Sequence, residues 1–241
     1  MEGYRKKLRV FNLGKINVLA VVLFFVFALS GLAINLFAAK SPYLATGSVA
    51  GDIGLSVGLI AVGLFVHEGI HGLAAIVFGK AKKGEVAFGF KIKDGLLYCH
   101  CKKPLEGKAY FVMLILPLIV TGIIPFAICV ALGGLMQICV FSLMIAGAAG
   151  DIAMACGVIK NGDTERTVLD HPDMTAYYAL YPENDLPDGF SETTEEEEKE
   201  ILSSDGIRDG KKLGMKILLI ALFVALTVLG LFVIGLFMEI V

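Results

Sequence analysis

The stretch GLFVHEGIHGLAAIVFGK places His67, Glu68 and His71 in an otherwise uncharged apolar run. In a helix, residues four apart rise about 6 Å along the axis and project from one face, which suits two imidazoles to one tetrahedral metal ion. Glu68 follows the first histidine and is placed to take a proton from metal-activated water, the logic of the HExxH motif of zinc hydrolases. Where such a run crosses a bilayer, each ionisable group costs several kcal/mol on insertion scales, so clustering them implies partners or function. The competing reading is a set of buried polar groups that tie helices together by hydrogen bonds.

A catalytic zinc site generally takes three protein ligands and leaves one position for water, so a further ligand is required. Asp151, in the context AGAAGDIAMACG, is the one charged residue of its apolar stretch. Lys80 follows His71 and Lys160 follows Asp151 by the same number of residues, which puts the two sites at matching depth if the helices run in the same direction. Small residues at 147–150 would let those helices approach closely. The rivals are His171, in a polar DHPD sequence, and His100, flanked by Cys99 and Cys101. Adjacent strand residues point to opposite faces, so Cys-His-Cys is a poor chelate.

The elements that carry these residues follow from composition. The chain of 241 residues is 56% hydrophobic, with mean hydropathy +0.77, more apolar side chain than a water-soluble domain hides. A helical crossing needs roughly 20 apolar residues, and five stretches qualify, at about 16–39, 53–79, 109–132, 135–159 and 217–238. The third and fourth come from one uncharged run, Ala109 to Gly150, with a natural turn at Gly133-Gly134. The basic leader MEGYRKKLR precedes an apolar core too long for a cleaved signal peptide, which favours an uncleaved anchor.

Lysines and arginines gather before the first span, in loop 80–108 and around 160–212, whereas loops 40–52 and 133–134 carry almost none. The positive-inside rule then assigns the N-terminus and both basic segments to the cytoplasm and the C-terminus to the outside. The net charge of -2 conceals this asymmetry because the acids concentrate between the fourth and fifth spans, and it gives nucleic-acid binding no support. The cysteines, within spans or the cytoplasmic loop, are expected to be reduced.

In the loop after the second span, Val86, Phe88, Phe90 and Ile92 alternate with smaller or polar residues before Asp94-Gly95, and Leu97, Cys99 and Cys101 alternate after it, a hairpin signal. Segment 161–210 is broken by Pro172, Pro182 and Pro187, and its run Glu195–Glu198 reads as a solvated face or a tether. Its aromatics Tyr177, Tyr178 and Tyr181 are expected to pack against the membrane surface.

HEGIH within a span, a lysine-rich hairpin after it and Gly150-Asp151 in a later span resemble intramembrane metalloproteases of the site-2 protease type. More closely, residues 53–175 are similar to a family of short bacterial membrane proteins described as zincin peptidases. The resemblance implies a core of three helices, His67, His71 and Asp151 as ligands of Zn2+, and Glu68 as the catalytic acid/base. Where the better-known pattern has an Asn-Pro-rich lead into Leu-Asp-Gly, this chain has GAAGDIAM.

The expected fold is therefore an all-α membrane protein of about five transmembrane helices, with a small cytoplasmic β-hairpin between the second and third. It divides into an N-terminal anchor and outer loop (1–52), a metalloprotease-like core with hairpin 84–103 (53–160), an acidic cytoplasmic segment (161–211) and a C-terminal span (212–241). The expected function is a zinc-dependent intramembrane or membrane-proximal peptidase of the bacterial cytoplasmic membrane, in which Glu68 activates a zinc-bound water. Its partners are the lipid bilayer and a membrane protein or peptide substrate. The alternatives are a membrane metal-ion transporter and a non-catalytic scaffold stabilised by metal.

Overall fold

The computed structural model describes residues 3–38, 45–91, 96–172 and 174–203. The expected C-terminal span and the Asp94-Gly95 turn lie outside the described residues. Strand β1 (Tyr4–Val10) leads into helix α1 (Leu13–Phe37), whose first turn is capped by the Asn12 side chain accepting from the Lys15 N–H at 3.0 Å. Helix α2 (Val49–Val77) starts at Ser48, which accepts from the Gly51 N–H at 3.1 Å. Strands β2 (Val86–Lys91) and β3 (Leu96–Cys101) pair antiparallel from Val86↔Cys101 to Lys91↔Leu96, the hairpin that the alternation predicts.

A short strand β4 (Leu105–Glu106) opens into a long apolar helix of three parts: α3 (Gly107–Pro117), a π-helical segment (Leu118–Ile123) and α4 (Ile124–Leu132). Gly133, at φ 94°, supplies the left-handed residue that ends it, after which α5 (Leu135–Gly147) and α6 (Ala149–Lys160) follow with a bend of 43° between them. Strands β5 (Thr167–Asp170) and β6 (Ala176–Pro182) and helix α7 (Glu195–Ser203) complete the described chain.

Among the described residues three helices are long and apolar enough to cross a membrane, Leu13–Phe37, Val49–Val77 and Gly107–Leu132, and the bent pair Leu135–Gly147 and Ala149–Lys160 makes up to four. The first two bury only 6% of their most apolar windows inside the protein. Their valines, leucines and phenylalanines therefore face outward, an apolar surface of the kind that lipid covers.

The all-α expectation is overturned by a four-stranded antiparallel sheet in the order β1-β6-β5-β4, in addition to the hairpin. The reason it escapes a sequence reading is physical. Strand β6 is buried on both faces, with Ala176, Tyr177, Ala179, Leu180 and Tyr181 all shielded, so it shows no alternation of apolar and polar residues. Strand β1 carries lysines and arginines and reads as a basic leader, and its partner lies far along the chain, with Lys6 opposite Leu180. Tyr177 and Tyr181, expected at the membrane surface, are instead packed inside the protein. Tyr177 stacks against Phe11 and Tyr110 at 5.9 and 5.8 Å between ring centres.

The sheet fixes relative position. It joins the strand before α1, the strand before α3 and the strands after α6, so those three helix ends share one side of the helical layer.

Candidate metal centre

His67 and His71 project from one face of α2, their ring centres 5.0 Å apart, and both are buried. Asp151 arrives from another helix. The break at Ala148 makes Asp151 a first-turn residue of α6, where the unpaired N–H groups and helix dipole favour a carboxylate. Ala148 and Ala149 are fully buried at the break. Asp151 Oδ2 lies 3.1 Å from His67 Nε2 and 3.5 Å from His71 Nε2.

Two imidazole nitrogens and one carboxylate oxygen form a donor set suited to zinc. Ligands about 2.0–2.1 Å from a tetrahedral ion lie roughly 3.3 Å from one another, and the two histidine-to-aspartate separations bracket that value. The residues present thus fit the ion. Glu68 also has a carboxylate oxygen within 4.8 Å of the imidazole nitrogens. It lies in the same cavity, which Tyr98 and Cys99 of β3 also line. His67, Glu68 and His71 thus form one group able to hold an ion, and Asp151 Oδ2, close to both Nε2 atoms, offers a second carboxylate to the same histidines.

The cavity, of about 250 Å³, is walled by His67, Glu68, His71 and Asp151, by Tyr98 and Cys99 of the hairpin, and by Asp170 of β5. The hairpin lies tightly on α2 because Gly72, next to His71, has no Cβ; one built there would meet the Phe88 ring. Burial, with the nearby Glu68 and Asp170 charges adding to it, pushes the Cys99 thiol up to about 12. It is held as a neutral thiol beside the cavity.

Each remaining ring nitrogen of the histidine pair has a partner. His71 Nδ1 lies 2.8 Å from the Met113 carbonyl, and His67 Nδ1 lies 3.2 Å from Thr121 Oγ1. The two rivals for the third ligand are engaged elsewhere. His100 Nδ1 is 3.0 Å from Asp170 Oδ2, and His171 Nε2 is 3.4 Å from Glu198 Oε1. Met113, Thr121 and Asp170 were not identified from sequence as parts of the site. The visible signals were Pro117 and Thr121, four residues apart in an apolar span.

Residues 60–164, which carry all four of His67, Glu68, His71 and Asp151, match the model of a family described as "Putative zincin peptidase". The match supports a zincin-like relationship, and with it a metallopeptidase function in general terms and zinc as the metal. No curated protein and no solved structure matches the chain.

Proposed function

We propose that the protein is a zinc-dependent peptidase that acts within or beside a membrane on a membrane protein or peptide, with Glu68 as its proton-transfer residue. The observation that carries this reading is the approach of Asp151 Oδ2 to both histidine Nε2 atoms, on the wall of a cavity that also contains Glu68. His67, His71 and Asp151 would hold the metal. When bound, zinc lowers the pKa of a water to near neutrality and polarises the carbonyl of the scissile bond.

Glu68 follows His67 directly and lines the cavity, so its carboxylate can accept a proton from water and deliver it to the leaving amine. Among the described residues strand β3 forms a two-stranded sheet with β2, and its Tyr98 and Cys99 line the cavity. An extended peptide lying against the hairpin would sit beside Glu68. This arrangement suits a substrate segment already unwound from its helix, whose amide groups need partners in an apolar setting.

The test is Glu68→Gln in the purified full-length protein in detergent or lipid. The variant should keep its zinc and lose hydrolysis of an unfolded membrane-peptide substrate by about 10²-fold or more. Unchanged turnover would remove Glu68 from the chemistry. Tight zinc without turnover in the wild type would favour the metal-stabilised scaffold.

A further inference from the structure

We propose that Thr121 and the Met113 carbonyl are positioning groups that hold the proton of both imidazoles on Nδ1, with Pro117 the residue that makes the carbonyl available. The proposal rests on the metal reading above and extends it to a helix that contributes no ligand.

The argument begins with proline. Pro117 has no backbone N–H, so it cannot take the Met113 carbonyl four residues earlier, as an ordinary helical residue would. The next N–H, that of Leu118, turns to the Ile115 carbonyl instead. The Met113 oxygen is thus left for a donor from outside the helix, and His71 Nδ1 meets it at 2.8 Å. A carbonyl oxygen only accepts, so the hydrogen of that bond belongs to His71 Nδ1.

Thr121 settles the second ring by a different route. Its hydroxyl has one hydrogen, which it donates to the Pro117 carbonyl at 2.8 Å. Its oxygen can therefore only accept from His67 Nδ1, 3.2 Å away, so the proton of that ring is also on Nδ1. Both side chains, His67 and Thr121, are buried. A neutral imidazole protonated at Nδ1 presents the lone pair of Nε2, and in both histidines Nε2 is the atom that faces Asp151.

Spacing makes the two arrangements one device. Met113, Pro117 and Thr121 recur every four residues, about 6 Å per step along one helix face, which is the spacing of His67 and His71 on α2. The helix turns π-helical just after Pro117, at Leu118–Ile123, the segment that holds Thr121. Proline thus serves both rings. It frees one acceptor directly, and its own carbonyl holds the Thr121 hydrogen away from the other.

The test measures zinc affinity by chelator competition in the full-length protein, beside the absorption spectrum of the cobalt-substituted form. Thr121→Val keeps the side-chain shape and removes the acceptor; Pro117→Ala restores an N–H that competes for the Met113 carbonyl. Each should weaken zinc binding about 10–100-fold, the usual loss when a partner of a ligating histidine is removed, and alter the cobalt spectrum. Thr121→Ser should restore both readouts.

Folded variants that bind zinc within twofold of the wild type, with an unchanged cobalt spectrum, would overturn the proposal and leave the metal reading standing. Failure of the wild type to bind zinc would instead sink the metal reading. The positioning claim would then be decided by nitrogen-15 spectra of the metal-free histidines. Rings that keep a hydrogen on Nδ1, whether or not Nε2 also carries one, support it, and rings protonated at Nε2 alone end it.

Discussion

Gly107 stands directly against the backbone carbonyl of Asp163, so close that a Cβ on residue 107 would collide with it. The contact joins the start of α3 to the turn that follows α6, and the Gly107 N–H donates to the Arg166 carbonyl at 2.7 Å in the same place. It thereby registers the helix that carries Met113 and Thr121 against the helix that carries Asp151. Gly107→Ala should destabilise the fold by about 1–3 kcal/mol or more, because backbone rather than a pliable side chain must move. Thermal unfolding in detergent would measure it, and a melting temperature equal to the wild type would contradict the contact.

Zinc content separates the ligand assignment from its rivals. Purified wild type should contain about one zinc per chain, lost in His67→Ala and in Asp151→Ala and retained in His100→Ala and His171→Ala. His100 and His171 instead face Asp170 and Glu198. Metal retained by Asp151→Ala but absent from His171→Ala would move the third ligand to the sheet.

At the opposite end of α2, the fully buried Asp52 carboxylate accepts from the Ala45 N–H, the Thr46 N–H and the Thr46 hydroxyl at 3.0, 2.8 and 2.7 Å. Gln137 of α5 adds a longer contact at 3.5 Å. Asp52→Ala strands several donors at once and should cost about 2–4 kcal/mol, as expected for breaking a buried hydrogen-bonded charge. Chemical denaturation in mild detergent would show it; a shift below about half a kcal/mol would mean that those donors find water.

Cys99 gives the protein a pH signature outside the helices. Its thiol lies well above its ordinary value of 9.0, at about 12, with burial the main cause. Below pH 9 the folded and unfolded chains both carry the neutral thiol, so this group adds no pH dependence there. Between 9 and 12 the unfolded chain loses the proton and the folded chain keeps it, so stability should fall as pH rises through that window. Iodoacetamide at pH 8 should leave Cys99 unmodified in the native protein and label it after unfolding, as mapped by mass spectrometry. Rapid native labelling at pH 8 would show that the thiol is not shielded.

Much of the site was legible in the chain. The period of a helix puts His67 and His71 on one face whatever surrounds them, and the isolation of Asp151 in an apolar stretch marks it as a partner. The hairpin was legible because β2 and β3 are close in sequence and half-exposed, which leaves the period of two visible. The four-stranded sheet was not, because β1 and β6 are separated by most of the chain and β6 is buried on both sides.

Local periodicity and hydropathy thus determined by themselves that apolar helices carry HEGIH and that a carboxylate stands alone further on, since both properties depend only on neighbouring residues. Only the tertiary structure decided that Asp151 reaches both Nε2 atoms, that the Met113 carbonyl and Thr121 engage the other ring nitrogens, and that the N-terminal strand pairs with β6. Those outcomes depend on which helix faces meet and on bonds that local pattern does not encode: a missing N–H, a hydroxyl with a single hydrogen, and a strand register set across about 170 residues.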